Sequence, residues 1–527
     1  MVRTRFAPSP TGFLHVGGLR TALYNYLFAK KNNGKFLLRI EDTDQKRYVE
    51  GAMESLLKTM TWIGLDYDEG PHKDGEYGPY VQSQRTELYR DHAKILMENG
   101  AAYRCFCTSE RLEQMREKQI RSKQAPMYDR TCLHLNPDEI ASKIKSGIPS
   151  VIRQKIPHGQ KIMFKDLIRG IVSFDSSTID DQVLMKSDHF PTYHLANVVD
   201  DHLMQITHVI RGEEWLPSTP KHIFLYQAFG WQPPQFAHIP LLLNKDKTKL
   251  SKRQGDVSVE DYINKGYSRE AIINFIALLG WHPGGGIEQE IFSLEELVEI
   301  FSLEQIHKAG AIFDIEKFNW FNFQWNRRTH FEKLERMAKE IDSSSTVSTN
   351  VKNEKIFHFS RQDKEKMFTE VRGELLYEMA KKYLPTTWNT EGEKLQKGLI
   401  TIEEKILKNA SEAAIHMKFY FEESPLNTGI LFYPKMKVDL DTAMAALRKA
   451  NKALSGLNNF ESTDDIKNCL VKVVEEMGVK NGQVFWPLRV ALTNEQFSPG
   501  VFEVIWALGK EKTIQRLERA ILQLETA

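Results

Sequence analysis

Two short segments, far apart along the chain, carry residues suited to binding a nucleoside triphosphate. The first runs from Pro8 to Gly18, reads Pro-Ser-Pro-Thr-Gly-Phe-Leu-His-Val-Gly-Gly and leads into a helical pattern. Its His15 and bare glycine backbone are predicted to lie at a helix N-terminus, where phosphate groups bind. The second, Lys249-Leu250-Ser251-Lys252-Arg253, places two ammonium groups on a predicted loop. Either segment alone is more often a turn or a solvated basic loop, but together they indicate a phosphate site.

The elements that must position these residues begin with a β-α-β unit. Val2 to Phe6 is predicted as a buried strand, a helical spacing of apolar residues follows, and Lys35 to Ile40 is predicted as the next strand. A right-handed crossover makes such strands parallel, and ligands bind at the carboxyl ends of parallel strands. The His15 loop and the segment Glu41 to Asp44 are both expected at that edge.

The pattern changes after about Tyr103 and changes back near Leu184. Between them we predict a charged helix near Ser109 to Ser122 and short strands near Val151 to Ile156 and Ile171 to Phe174. Beyond them α/β character resumes, with a predicted strand over 203–211 and a predicted helix over 221–229. The nucleotide-binding fold is therefore expected to be split by an insertion.

The remainder of the chain is predicted to be helical, interrupted by a linker over 342–353 that is rich in Ser, Thr and Asn. The expected organisation is a split catalytic domain over 1–102 and 185–240, an inserted α+β subdomain over 103–184, a helical domain over 241–335 that opens with the lysine loop, and all-α domains over 336–527. The expected fold class is α/β with a Rossmann-like parallel sheet.

Length and charge set limits on this organisation. A chain of 527 residues should hold more than one core, because single cores stop growing near about 250 to 300 residues. Lys plus Arg number 71 and Asp plus Glu number 70, which leaves a formal charge of +1. Total charge therefore argues neither for nor against a polyanionic partner such as RNA, which would have to meet local basic faces.

Cysteine usage indicates a reducing compartment, and hydropathy indicates that no segment spans a membrane. Four cysteines are too few for a disulfide framework in a chain of this length. No stretch approaches about 18 consecutive apolar residues, and the first motif follows the N-terminus too closely for a signal or transit peptide. We expect a cytoplasmic protein with no membrane segment; an organellar form trimmed of its presequence is the alternative.

Three of the cysteines form a second constellation. Cys105-Phe106-Cys107 is followed after 24 residues by Cys132-Leu133-His134. Three thiolates and an imidazole can complete a tetrahedral zinc site, and closed sites of this kind are structural. The alternative is a set of buried thiols beside a histidine that is satisfied by other partners.

The sequence Arg5-Phe6-Ala7-Pro8-Ser9-Pro10-Thr11-Gly12, with the two phosphate motifs, resembles the glutamyl branch of the class I aminoacyl-tRNA synthetases. The likeness extends to Ser498-Pro499-Gly500 and the helical pattern after it, and it is weakest between about 330 and 440. It implies that 103–184 meets the tRNA acceptor end and holds a structural Zn²⁺ at the Cys-x-Cys and Cys-x-His pairs. It also implies that 241–335 contacts the tRNA stem and 336–527 reads the anticodon.

The resemblance also implies roles for individual residues. His15, Lys249 and Lys252 would serve catalysis, and Arg5 and Arg211 would grip the side-chain carboxylate of glutamate while Glu41 takes its α-ammonium. The remaining glutamate contacts would be Ala7, Ser9, Tyr193 and Asn197, and the ATP contacts Pro8, Thr11, Gly12, His15, Gly17, Gly18, Glu214, Trp215, Lys249 and Lys252. Two alternatives are an Arg5–Glu41 structural ion pair and Trp215 as core packing.

The activity implied is the ATP- and Mg²⁺-dependent activation of L-glutamate and its transfer to the 3′-terminal adenosine of tRNA(Glu), by a monomer. A glutaminyl-type synthetase is disfavoured because that group lacks an arginine at the place of Arg211. A catalytically inactive tRNA-binding homologue is disfavoured because His15, Lys252 and both pocket arginines are present. A short tRNA-modifying paralogue is disfavoured because it would lack the C-terminal half.

Overall fold

The structure is a computed structural model that describes residues 1–250, 258–349, 355–390 and 392–526. The chain divides into two compact units: unit 1 comprises 1–264 and 269–321, and unit 2 comprises 265–268 and 322–527. Within the described ranges, no helix combines the length and apolar character needed to cross a membrane.

Unit 1 contains the parallel sheet. Its strands are β1 Arg3–Phe6, β2 Lys35–Leu38, β3 Ala102–Cys105, β4 Val151–Gln154, β5 Lys161–Asp166, β6 Gly170–Asp175, β7 Val183–Met185, β8 His208–Gly212, β9 Gln235–Ile239, β10 Leu242–Leu243 and β11 Ala311–Ile312. Its helices are α1 Val16–Lys31, α2 Ala52–Ile63, α3 Thr86–Glu98, α4 Ser109–Arg121, α5 Pro137–Lys145, α6 Tyr193–Leu203, α7 Thr219–Phe229, α8 Val259–Asn264, α9 Arg269–Ala277 and α10 Leu294–Ile300.

The predicted β-α-β unit is confirmed. Strands β1 and β2 are parallel, with Arg5 opposite Leu37, and α1 connects them. On the other side of β1, the Thr207 amide donates to the Arg3 carbonyl at 3.0 Å, which aligns β1 with β8. Strand β8 in turn pairs in parallel with β9, with Arg211 opposite His238. The carboxyl ends of β1, β8 and β9 therefore share one edge.

The segment from β3 to β7 forms one further sheet and adds a hairpin to the main sheet. Strands β3, β4 and β7 make an antiparallel sheet, while β5 and β6 form a hairpin. The end of β5 pairs in parallel with β9, with Asp166 opposite Phe236, so the hairpin extends the main sheet. This pairing places Asp166, a residue of the inserted segment, beside β9 of the main sheet.

The predicted strand over 203–211 is wrong at its start. Leu203 ends α6, Gln205 takes a positive φ of 54°, and the strand begins only at His208. Burial explains the difference, because the preceding Asp200 and Asp201 are held inside the unit by arginines and keep that segment helical.

Helix α11, Ile315–Ile341, runs from the end of unit 1 into unit 2. Unit 2 is otherwise mainly helical: α12 Gln362–Ala380, α13 Gly392–Thr401, α14 Glu403–Lys408, α15 Ala413–Phe421, α16 Thr428–Leu431, α17 Leu440–Ser455, α18 Thr463–Met477, α19 Asn481–Thr493 and α20 Val501–Thr526. Within α20, Gly509 makes a kink at φ 73°.

The predicted helical character of the C-terminal region is confirmed, with one correction. The linker predicted over 342–353 contains strand β12, Thr346–Thr349, which pairs antiparallel with β13, Lys355–His358. Three of the four residues of β12 are β-branched, which favours an extended strand despite its polar composition. The hairpin is anchored at its base, where the Asp342 carboxylate accepts from the Ser360 amide at 2.8 Å.

Candidate active site

A cleft of about 1140 Å³ opens at the carboxyl ends of β1, β8 and β9. Its lining includes every residue predicted to bind glutamate or ATP that the structure describes: Arg5, Ala7, Pro8, Ser9, Thr11, Gly12, His15, Gly17, Gly18, Glu41, Tyr193, Asn197, Arg211, Glu214, Trp215 and Lys249. Lys252 lies outside the described residues. The fold thus collects residues from both ends of unit 1 in one cleft.

His15 lies at the helix end that the sequence predicts. It is the N-cap of α1, and its Nδ1 accepts a hydrogen bond from the Gly18 amide at 3.0 Å. A Cβ on Gly17 would lie 3.2 Å from this ring, so a glycine keeps the ring close to the first turn. The positive end of the helix dipole and the remaining amides of this turn face the cleft, an arrangement suited to phosphate oxygens.

The second phosphate motif starts on a backbone hairpin. Leu243 and Lys249 form an antiparallel bridge, and the Leu250 amide donates to the Leu242 carbonyl at 2.9 Å. Ser258, just after the undescribed residues, forms a bridge with His15. Both ends of the lysine loop are therefore held beside the cleft, and the exposed Lys249 lines it.

The two oppositely charged pocket residues, Arg5 and Glu41, are joined through a buried chain of ion pairs. The Arg5 Nε donates to Asp201 Oδ1 at 3.0 Å, and the Arg39 Nη1 donates to the same oxygen at 2.7 Å. The Arg39 Nη2 then donates to Glu41 Oε1 at 2.9 Å. The alternative of an Arg5–Glu41 ion pair is therefore wrong: each residue has another partner.

These ion pairs leave both Arg5 and Glu41 able to interact with a ligand. Asp201 holds one edge of the Arg5 guanidinium through Nε and Nη2, and within the described residues Nη1 has no hydrogen-bond partner. Burial raises the pKa of Glu41, and the charge and hydrogen bond of Arg39 oppose that rise. Arg39 thus favours the carboxylate form of Glu41, which is the form that attracts an ammonium group.

Arg211 has a different environment, made of neutral acceptors. Its Nε donates to His238 Nε2 at 3.1 Å, and its Nη1 donates to the Tyr193 hydroxyl at 3.0 Å and to His222 Nδ1 at 3.3 Å. Its Nη2 donates to the Thr219 hydroxyl at 3.0 Å. No carboxylate lies within ion-pair distance of Arg211 in the part of the chain that the structure describes. This buried positive charge is therefore suited to an anionic ligand.

The imidazoles around Arg211 are kept neutral. Burial lowers the pKa of His222 well below its ordinary value, and Arg211 lowers it further. Burial likewise lowers the pKa of the neighbouring His194 to about 3. The two rings are 3.1 Å apart between His194 Nδ1 and His222 Nε2. At neutral pH, Arg211 is thus the charged group of this cluster.

The other predicted pocket residues complete the wall of the cleft. Among the residues that the structure describes, the buried Nδ2 of Asn197 has no hydrogen-bond partner, which leaves a donor for a ligand. The Tyr193 and Trp215 rings pack with centroids 4.1 Å apart. Trp215 is half-buried and lines the cleft, so it has both a packing contact and a face toward a ligand.

The three clustered cysteines meet in the inserted segment. The Sγ atoms of Cys105, Cys107 and Cys132 all lie within 4.8 Å of one another. The predicted fourth ligand, His134, is exposed and its ring nitrogens lie outside this group. The Tyr128 hydroxyl lies 3.3 Å from Cys105 Sγ and 3.3 Å from Cys107 Sγ instead. Three clustered thiolates are soft donors of the kind that Zn²⁺ prefers.

Sequence reasoning missed the residues that position the charged pocket residues, directly or through one neighbour: Arg39, Asp201, Asp166 and His238. For Arg39 a signal existed, since residues two apart on an extended segment share a face, which pairs it with Glu41. For Asp166 and His238 no local pattern exists, because the pairing of β5, β8 and β9 brings His238 to Arg211 and Asp166 to His238.

Comparison with known proteins assigns the class. Residues 1–320 match the family described as tRNA synthetases class I (E and Q), catalytic domain, and residues 375–521 match the family described as Anticodon binding domain. The chain belongs to the class I tRNA synthetases of the E and Q type. These matches confirm the predicted fold class, a parallel-sheet catalytic domain followed by a helical C-terminal region.

Similar proteins specify the branch. The glutamate–tRNA ligase of Chloroherpeton thalassium is 45% identical over 530 residues, which cover 99% of this chain and 98% of that protein. That of Chlorobium luteolum is 46% identical over 533 residues, covering 99% and 97%. The crystal structure of a glutamate tRNA ligase from Elizabethkingia meningosepticum in complex with its amino acid has a TM-score of 0.80 at 35% identity and covers 99% of both chains.

Proposed function

We propose that this chain is a glutamate–tRNA ligase that activates L-glutamate with ATP and transfers the glutamyl group to the 3′-terminal adenosine of tRNA(Glu). The observation that carries the proposal is the environment of Arg211: a buried guanidinium among neutral acceptors, in the cleft that also holds the His15 phosphate loop. The full-length likeness to glutamate–tRNA ligases supports the same activity.

In the first step, the α-carboxylate of glutamate attacks the α-phosphorus of ATP, forming glutamyl-adenylate and releasing pyrophosphate. In the second, the 2′-hydroxyl of the terminal adenosine attacks the glutamyl carbonyl and AMP leaves. Neither step needs a protein nucleophile, so positioning and charge stabilisation supply the catalysis. His15, the amides of the α1 N-terminus and Lys249 contribute hydrogen bonds and charge to the phosphates, with Lys252 proposed to act beside them. Mg²⁺ bound to ATP adds positive charge there.

Specificity for glutamate follows from the charges on either side of the pocket. Arg5 and Arg211 offer guanidinium groups to the side-chain carboxylate, while Glu41 takes the α-ammonium and Asn197 and Tyr193 add polar contacts. The neutral amide of glutamine would leave the buried charge of Arg211 uncompensated. The glutaminyl-type alternative is disfavoured for this reason, and Ala7 and Ser9 complete the wall of the pocket.

For the inserted segment we propose a structural Zn²⁺ held by Cys105, Cys107 and Cys132, with Tyr128 as the nearest fourth donor. The ion would fix this segment by neutralising thiolates that otherwise crowd one another. The Arg111 guanidinium donates to Cys107 Sγ at 3.3 Å, which places a positive charge beside this sulfur.

The division of labour along the chain belongs to the same proposal. Residues 1–102 and 185–240 carry out activation, 103–184 meets the acceptor end, 241–335 contacts the tRNA stem and 336–527 reads the anticodon. The match of 375–521 to an anticodon-binding family supports the last assignment. We further propose that the enzyme acts as a monomer in the cytoplasm, a reducing compartment suited to clustered thiols.

The test is glutamate-dependent ATP–pyrophosphate exchange in the presence of tRNA, with the variant Arg211→Ala. We expect kcat/KM for glutamate to fall by about 10²-fold or more, since about 2 to 5 kcal/mol is lost when one partner of a buried charge pair is removed, with little change in the KM for ATP. Arg3→Ala is the matched control, because Arg3 is equally buried, pairs with Glu69 and lies outside the cleft. Parent-like glutamate activation by the Arg211 variant would refute the assignment.

A further inference from the structure

Behind Arg211 lies a buried pair that the reaction does not touch. His238 on β9 stands directly opposite Arg211 on β8, and its Nδ1 faces Asp166 Oδ2 at 2.6 Å. All three side chains are almost fully buried. Asp166 comes from the hairpin of the inserted segment, so this segment reaches the back of the glutamate pocket.

Asp166, His238 and Arg211 form a row of hydrogen-bonded side chains, and the N–H donors of Arg211 determine where the imidazole proton lies. A guanidinium only donates, so the Arg211 Nε–H at 3.1 Å requires His238 Nε2 to accept. The proton of the neutral imidazole is therefore on Nδ1, where it is donated to Asp166. The carboxylate thereby selects the tautomer that can receive Arg211.

Asp166 is itself fixed by the backbone. Its Oδ1 accepts from the amides of Ile168 at 3.0 Å, Arg169 at 2.8 Å and His238 at 3.3 Å. Because Oδ1 is taken by these amides, only Oδ2 is available to the imidazole. The carboxylate can neither rotate away nor exchange its two oxygens without losing these bonds.

From this row we infer that Asp166 and His238 are positioning residues for Arg211, through which the inserted segment sets the affinity of the pocket for the glutamate side chain. The inference rests on the proposed function. It goes further in assigning part of amino-acid specificity to a segment outside the nucleotide-binding sheet. Without Asp166 and His238, the Arg211 guanidinium loses the hydrogen bond at Nε that fixes its orientation. It can then rotate between its remaining neutral acceptors.

Asp166→Asn gives a sharp test, because the three backbone amides require the asparagine oxygen at the place of Oδ1. Its NH₂ group then faces His238 Nδ1, which must accept, and the imidazole proton moves to Nε2, against the Arg211 Nε–H. We expect the KM for glutamate to rise at least tenfold in tRNA-dependent pyrophosphate exchange, with the KM for ATP within twofold of the parent.

The matched control is Asp181→Asn, since Asp181 is an equally buried carboxylate of the inserted segment that holds Arg130 and Tyr103 and lies outside the row. An equal rise in the glutamate KM for both variants, or none for Asp166→Asn, would overturn the inference. Absence of glutamate activation in the parent enzyme would instead overturn the proposed function, which keeps the two failures distinct.

A second pair of variants covers the case in which Asp166→Asn does not fold. His238→Gln can donate to Asp166 and accept from Arg211 across a similar span, whereas His238→Leu can do neither. We expect the glutamine variant to keep a glutamate KM within threefold of the parent and the leucine variant to raise it at least tenfold. Equal glutamate KM values for the two variants would contradict a positioning role for His238.

Discussion

Arg39 offers the strongest test of the electrostatics of the pocket. It is fully buried, donates to Glu41 at 2.9 Å and to Asp201 at 2.7 Å, and does not line the cleft. Replacing it by glutamine removes the ion-pair partner of Glu41, whereas Asp201 keeps its bond to Arg5. The change therefore acts chiefly on the protonation of Glu41.

The size of the effect can be worked out from the geometry. With charge centres about 4 Å apart and an effective dielectric constant of about 20, the Arg39–Glu41 attraction is about 4 kcal/mol as an upper bound. Arg5 also lowers the pKa of Glu41 and remains in place. We therefore expect the variant to raise the pKa of Glu41 further above its ordinary value.

Because the ionised form of Glu41 binds the ammonium group, activity is present above its pKa and is lost as the pH falls through it. The acid limb of kcat/KM for glutamate, measured between pH 5.5 and 9 with tRNA present, should move to higher pH in Arg39→Gln and recover in part at pH 9. Arg85→Gln is the control, because Arg85 is buried in the same cluster but pairs with Asp200. A folded Arg39 variant whose acid limb coincides with that of the parent would refute this reasoning.

Three further predictions concern stability and metal binding. Burial raises the pKa of Glu403, but Arg372 and His330 outweigh burial and bring the pKa to about 2, from an ordinary 4.5. The lowered pKa contributes about 3 kcal/mol to the free energy of unfolding above pH 4.5. This contribution should vanish as the pH falls toward 2, and it should be absent in Glu403→Gln. Tyr128→Phe should weaken zinc retention at least about tenfold in competition with a chelator. Gly34→Ala should cost about 3 kcal/mol in denaturant unfolding, since its Cβ would lie 2.9 Å from the Val2 carbonyl carbon.

Each of these has a matched comparison. If Glu403→Gln unfolds at the parent's temperature at pH 7, the buried ion pair contributes nothing. Tyr103→Phe is the zinc control, because its hydroxyl donates to Asp181 rather than to a thiol, and equal zinc affinities would exclude Tyr128 as a donor. Gly392→Ala adds a Cβ that lies more than 4 Å from every atom that the structure describes outside its chain neighbours, and an equal cost for both glycines would remove the steric explanation.

The sequence by itself determined the local features of this protein. Hydrophobic spacing indicated the β-α-β unit and most helices, because periodicity is a property of neighbouring residues. The segment Pro8 to Gly18 placed His15 at a helix N-terminus for the same reason. Local pattern failed where burial overrode it, as at residues 203–207, and where a short polar strand formed at Thr346–Thr349.

Only the tertiary structure decided which partners the charged residues have. Arg5 is held by Asp201 and Glu41 by Arg39, whereas one interpretation of the sequence paired Arg5 with Glu41. Tyr128, rather than His134, lies among the thiols. These pairings depend on distances between elements that are far apart in the sequence. A buried charge requires a partner, because it has lost its contact with water.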